Sequence, residues 1–393
     1  MSLASALPRP VVLLCLLLFG STFSIGAFPV LLPEIGRSTD ISDFALGVLA
    51  GAFGFARVLA DIPAGLYITN HLRRALVLAA ACLLAGIVLL ASGGPLWMLV
   101  LGRGLWGAGH AMAMLSGITA IVRYVPATSR SQSLNAFELS AMLGVLGGML
   151  LTGFLPPTWA WNVTLAVASA PLLAAIVLVP MLLRALPKEE GAEDRPWFSR
   201  GAMAAGPPTP LSRVAILAFA AGCVIALAWS AIGQFVLPLR ASREFELGRS
   251  DVALLIAVPQ LIDVLVLLPM GRLADRSSRT RLLGIVLLLF AGGVAAVAYG
   301  SLPIVVLGCV LFGVGLAAWM LPVALINHDA PPGRVAWRTA IYRTGVDMGV
   351  FLGPVISGLL LDLGYLEVLG LAVVAALILL GAAFLIGAGG RSR

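Results

Sequence analysis

The sequence predicts an all-α polytopic membrane protein with twelve spans, and three observations carry that prediction. Of 393 residues, 60% are hydrophobic and only 11% are charged, against roughly 25% charged in a soluble globular chain. A mean hydropathy of +1.05 leaves far more apolar surface than a water-soluble core can hide. The apolar runs are about 20 residues long, enough for a helix to cross a hydrocarbon core of about 30 Å. The strand-type alternation of an outer-membrane barrel is absent.

Spans are expected at about 10–32, 44–69, 74–93, 96–122, 132–154, 161–184, 212–239, 250–270, 281–300, 303–327, 337–361 and 366–388. The first has Arg9 before it and no small-residue cleavage site after it, so it reads as a span and not as a signal peptide. An even count puts both termini on one side. That side collects eighteen Lys and Arg residues in its loops and tails, while the other holds only Arg37, Arg240, Arg243 and Arg249. The bias of positive charge toward the cytoplasm then makes both termini cytoplasmic. Placing the charge in loops on one side also removes any reason to read the net charge of +7 as a nucleic-acid signal.

The segment 185–211, with PKEEGAEDRPW and GPPTP, is charged and rich in Pro and Gly. It reads as a flexible linker. The expected domains are a six-helix bundle over 1–184 and a second over 212–393. The halves repeat at an offset of about 205 residues: Pro63 and Gly65 match Pro269 and Gly271, and Gly144, Gly148 and Gly153 match Gly349, Gly353 and Gly358. Cys15, Cys82, Cys223 and Cys309 each sit in an apolar run, without metal-ligand spacing, and read as small buried hydrophobes.

Gly271, Asp275, Arg276 and Arg279 follow the spacing G-x-x-x-D-R-x-x-R in a short basic loop between two apolar runs. With Leu273 and Ala274 they resemble the signature loop of the major facilitator superfamily of secondary transporters. The first-half copy keeps Gly65, Arg73 and Arg74 but has Thr69 where the acid belongs. Arg103-x-x-x-Gly107-x-Gly109 resembles the superfamily's fourth-span signature, whose arginine is implicated in proton coupling. The fifth span reads Gly144-Val145-Leu146-Gly147-Gly148, without the proline of the antiporter motif. The resemblance covers essentially the whole chain. It implies two six-helix bundles related by a pseudo-two-fold axis around a central cavity, with the substrate near the midplane. It also makes 271–281 a gating loop, in which Asp275 accepts backbone N–H groups at the start of a neighbouring helix in one state of the cycle.

Ionisable residues inside spans are functional candidates because burying them is costly. Arg57 and Asp61 lie at i, i+4 on span two, as do Arg343 and Asp347 on span eleven. In the superfamily fold those spans meet, which implies a four-charge cluster, paired either within each helix or crosswise. Glu138 and Asp263 lie at similar depth on spans five and eight. They are either a proton-carrying pair or two acids facing different ways. Arg103, Trp106, His110 and Met114 share one face of span four. With Phe28, Trp229, Gln234 and Trp319 they are the candidate cavity residues; aromatic positions of this kind also serve as plain packing.

No Walker-type loop, metal cluster or nucleophile with a matching base is present. The expectation is a non-enzyme without a cofactor, driven by a proton gradient. It would be a monomer in lipid that handles protons and a small molecule, most simply exporting it by antiport. Uptake of an anionic metabolite with protons is the alternative, since Arg57, Arg103 and Arg343 attract anions. A lipid flippase or a non-transporting sensor is the reading from another class. One Lys against twenty-four Arg points to a GC-rich bacterium and its inner membrane.

Overall fold

The computed structural model describes residues 7–187, 211–331 and 335–389. Within them the chain is helical and free of strands, and eleven helices are long and apolar enough to cross a membrane. In chain order they are α1 (Arg9–Thr39), α2 (Asp43–Ala91), α3 (Leu96–Tyr124) and α4 (Ala127–Phe154). Then come α5 (Trp161–Ala185), α6 (Arg213–Arg243) and α7 (Arg249–Arg276). The series ends with α8 (Arg279–Tyr299), α9 (Leu302–Ile326), α10 (Val335–Asp362) and α11 (Leu366–Gly389). The expected linker lies outside the described residues from 188 to 210, as do Lys188, Arg195, Arg200, Arg334, Arg391 and Arg393.

The count is eleven, not the expected twelve, because two helices that abut at His71 without a gap count as the single 49-residue element α2. A straight helix of that length would measure about 74 Å. Instead His71 leaves helical geometry (φ −134°, ψ 46°), and the helix reverses there. The proof is in α3: Gly107 packs on the Phe53 backbone, while Gly109, half a turn away, packs on Ala79 and Leu83. One short stretch of α3 touches both arms of α2, so the arms lie side by side.

Three other helices are irregular, two of them beside prolines. α5 is broken at Ser169 and Leu178, each just ahead of a proline in the first turn of the next segment, since proline offers no N–H to continue the ladder. α6 widens into a π-helical stretch over Trp229–Val236, just before Pro238. Such stretches are rare and gather at functional sites. α9 is interrupted between Leu316 and Met320, at Trp319.

The repeated glycines show why the halves fold alike. Gly144 and Gly148 of α4 sit against the α1 backbone at Phe19 and Phe23, and Gly349 and Gly353 of α10 sit against α6 at Cys223 and Leu227. A side chain at any of these positions would collide with backbone. The third glycine of each set turns to the other half: Gly153 packs on Ala253 of α7, and Gly358 packs on Asp43 at the start of α2. Two seams thus join the halves, α2 against α10 and α4 against α7.

Candidate functional site

The α2–α10 seam is a wedge. We call the end of the bundle where α1 begins the near end and the opposite one the far end. At the far end Asp362 accepts the backbone N–H groups of Asp43 (2.9 Å) and Phe44 (3.0 Å). Ser42 takes the N–H of Ala45, so the exposed donors of the first turn of α2 are shared between its own cap and an acid from the other half. Moving inward, Gly47 packs on Pro354, and Gly51 and Gly54 pack on Phe351. Arg57 Nη2 then meets Asp347 Oδ1 at 2.7 Å. One turn further, Arg343 Nε stands 3.8 Å from Asp61 Oδ2. Beyond that, Gly65 has nothing within 4 Å of where a side chain would start.

The four charges predicted on spans two and eleven are therefore paired crosswise, between helices. Both acids are buried, Asp347 completely. Both pairs are charge contacts without hydrogen-bond alignment: among the described residues the carboxylate oxygens of Asp61 and Asp347 have no hydrogen-bond partner. Arg343 also reaches Met114 Sδ on α3 at 3.5 Å.

The far end carries a clasp that the sequence reading missed. Arg249, at the start of α7, forms a two-point ion pair with Glu34 of α1, with Nε–Oε1 and Nη2–Oε2 both 2.6 Å. It also donates to the Pro156 carbonyl (2.9 Å), the Thr164 hydroxyl (3.1 Å) and the Trp159 carbonyl (2.9 Å). Every partner belongs to the first half, and the Arg249 side chain is 2% exposed. Arg243, at the end of α6, makes a second two-point pair with Asp43 at 2.7 and 2.8 Å. By charge counting these arginines were only a minority marking the non-cytoplasmic side.

The gating loop is in the opposite condition. It is barely a loop: α7 continues through Gly271 and Asp275 to Arg276, and α8 starts at Arg279. Asp275 does not cap a neighbouring helix. Its side chain is 76% exposed, and its ion-pair partner is Arg279, four residues on, at 3.5 Å. Gly271, like Gly65, has open space beside it. Among the described residues the near ends of both seams lack packed neighbours at Gly65 and Gly271, while the far ends are shut. The expected contact of Asp275 is absent among the described residues, where its carboxylate faces solvent.

At the centre, Arg103 stands apart. Its guanidinium lies 3.9 Å from the Phe28 ring centroid, 4.8 Å from Phe53 and 4.9 Å from Trp106. No acid among the described residues lies within ion-pair distance of it. His110, two turns away, meets Ser21 Oγ through Nδ1 at 3.2 Å and packs on Phe53. Phe28 and Trp106, expected in the cavity lining, are fully buried against the Arg103 guanidinium. Met114, Trp229, Gln234 and Trp319 keep partial exposure, and Trp229 meets Trp319 edge-on at 6.4 Å. Two cavities, of about 360 and 510 Å³, both lie at the far end, and none of the expected cavity residues lines either one.

Glu138 and Asp263 are both partly exposed on the packed pair α4 and α7. Asp263 lies in the electrostatic field of Glu138, and Glu138 in that of Arg343. Asp263 accepts a hydrogen bond from Gln260 at 3.4 Å. Neither acid is in an ion pair among the described residues.

A sequence model described as Major Facilitator Superfamily matches residues 14–236 and again 214–391. No curated protein sequence matches the chain. Among solved structures, the nucleoside transporter NupG superposes with a TM-score of 0.72 at 14% identity, covering 98% of this chain and 100% of that one. A bacterial homologue of the human lysosomal transporter Spinster, inward-facing and occupied, gives 0.70 at 18% identity, with 98% of each chain covered. A D-xylose–proton symporter gives 0.72 at 16% identity, with 95% of each covered. At such identities the likenesses establish the fold, while the family match runs over nearly the whole sequence. The chain belongs to the Major Facilitator Superfamily: it is a multi-pass membrane transporter of that family and not an enzyme.

Proposed function

We propose that the chain exports a small organic molecule in exchange for protons, by alternating access between its two halves. The observation that carries this reading is the pair Glu138 and Asp263. They are two carboxylates on facing helices of the parted seam, partly exposed and without a cation of their own. Two acids sharing such a site do not readily both ionise, so one proton is held and released as the seam opens and closes. The wedge geometry supports the alternation, since contacts that exist at one end only are what a two-state gate requires.

Under the same reading, α2 crosses the membrane twice, once on each side of His71, giving twelve spans and two six-helix halves joined by the segment 185–211. The bias of positive charge supports a cytoplasmic near end and cytoplasmic termini, and the excess of Arg over Lys supports a bacterial inner membrane. It works as a monomer, with the proton gradient and no cofactor. Import with protons is the second reading, favoured by the three intramembrane arginines.

The test is flux in proteoliposomes under an imposed pH gradient, with a panel of labelled cationic, neutral and anionic solutes. Export stimulated by inward proton flow is the expected result. Glu138→Gln and Asp263→Asn should each keep gradient-free exchange and lose at least about tenfold in gradient-driven flux, the usual loss when a proton-transfer group is removed. Accumulation along with protons would reverse the direction. Absence of flux across the panel would remove the transport cycle altogether.

A further inference from the structure

The charges of the core do not balance where Arg103 sits. Arg57 is held by Asp347 and Arg343 faces Asp61, so the seam acids are taken. Arg103 is 6% exposed, and its Nε and Nη1 have no hydrogen-bond partner among the described residues. The Trp106 indole Nε1, one turn along the same helix, also lacks a partner. Three rings stack against the guanidinium. Such stacking compensates the charge through the ring faces, but it leaves the in-plane N–H donors unanswered. Burying an unpaired charge is strongly unfavourable, so an arginine kept in this state calls for a partner that the described residues do not supply.

The geometry holds the donors in place. Gly107 brings α3 against the Phe53 backbone, and Gly148 brings α4 against Phe23, one turn before Phe28 on α1. The rings of Phe28 and Phe53 are therefore set by backbone contacts, and Arg103 is clamped between them. A guanidinium fork matches a carboxylate at two points, and the free indole N–H supplies a third donor of the same sign. The surrounding rings suit an apolar or aromatic body.

We propose that Arg103 and the indole N–H of Trp106 form the docking point for a carboxylate on the transported molecule, which is an organic anion with an apolar body. This rests on the reading of the chain as a small-molecule transporter, but not on its direction or on proton coupling.

The probe is benzoate, with the neutral isostere benzamide as control, and the readout is the thermal midpoint of the full-length protein in detergent. Benzoate is expected to raise Tm with saturation, and benzamide to leave it unchanged. Arg103→Gln should abolish the benzoate shift. Arg103→Lys, which keeps the charge but not the fork, should weaken apparent affinity about tenfold. Trp106→Phe keeps a ring and removes only the N–H, so it should weaken affinity about tenfold to a hundredfold. It decides the matter if the arginine variants fail to fold. An equal shift by benzamide, no shift by benzoate, or a benzoate shift surviving in Arg103→Gln or undiminished in Trp106→Phe overturns the proposal. The assay uses no gradient, so its failure leaves proton-driven export standing, and a reversed direction or a loss of gradient coupling in the flux experiment leaves this site standing.

Discussion

Replacing Arg249 with Gln is expected to open the far end of the transporter. Five N–H contacts to four residues of the first half pass through this one side chain, and its removal leaves Glu34 facing an uncharged amide. Breaking a buried charge pair costs about 3–5 kcal/mol, and each 1.4 kcal/mol is a factor of ten in population. The balance between far-end-closed and far-end-open forms should therefore shift by roughly two to three orders of magnitude. The measurement is labelling of a cysteine placed at Val30, which lines the cavity beside Arg249 and is 2% exposed. A background lacking Cys15, Cys82, Cys223 and Cys309 and a membrane-impermeant maleimide added from the far side complete the assay. Labelling should rise at least tenfold in the Arg249→Gln background. Equal labelling in both backgrounds would sink the clasp. Arg243 and Asp43, the more exposed pair beside it, should give a smaller effect, since solvent screens exposed pairs.

The second large effect is expected at Asp347. Asp347→Asn removes the charge that Arg57 meets at 2.7 Å in a fully buried position. Arg57 is then left without its counter-ion, and stability should fall by about 3–5 kcal/mol, with transport lost. The double variant Arg57→Leu, Asp347→Leu separates structure from switching. Replacing a buried ion pair with apolar residues of similar size is often neutral or stabilising, so its Tm should return to or exceed that of the unmodified protein. Transport should stay absent, because Arg343 and Asp61, at 3.8 Å and already at the edge of pairing, would no longer have a charged neighbour to exchange with as the wedge moves. If the double variant transports normally, the four charges only hold the helices together.

These two sites sit at different points of one wedge. From Asp362 on the α2 start, through the glycine contacts and Arg57–Asp347, to Arg343–Asp61 and then open space at Gly65, contact weakens steadily along α2 and α10. Gly153 at Ala253 and open space at Gly271 repeat the gradient along α4 and α7. A rocking motion that closes the near end must release the far-end clasp, and it would carry Asp275 toward the helix start it is expected to cap.

Much of this was legible in the residues. Span length and apolarity are local properties of a chain in lipid, so the helical membrane class follows from composition alone. The offset of about 205 residues between Gly144, Gly148, Gly153 and Gly349, Gly353, Gly358 marked the points where backbones meet, because only glycine admits that approach. Intramembrane charge marked Arg57, Asp61, Arg343 and Asp347 as a set.

What the tertiary structure alone decided is who meets whom. Crosswise pairing of the four charges depends on how α2 and α10 are set against each other, and nothing in a four-residue spacing specifies that. The clasp joins Arg249 to Glu34, 215 positions away, and Asp362 to Asp43, 319 positions away. In the sequence those were ordinary loop charges. The state of the gate was equally hidden: Asp275 has the same neighbours along the chain whether its helix start is 3 Å away or out of reach. And the isolation of Arg103 became visible only once the acids among the described residues were seen to be elsewhere. Periodicity and apolar length are written along the chain, but pairing, closure and the absence of a partner are properties of the packed helices.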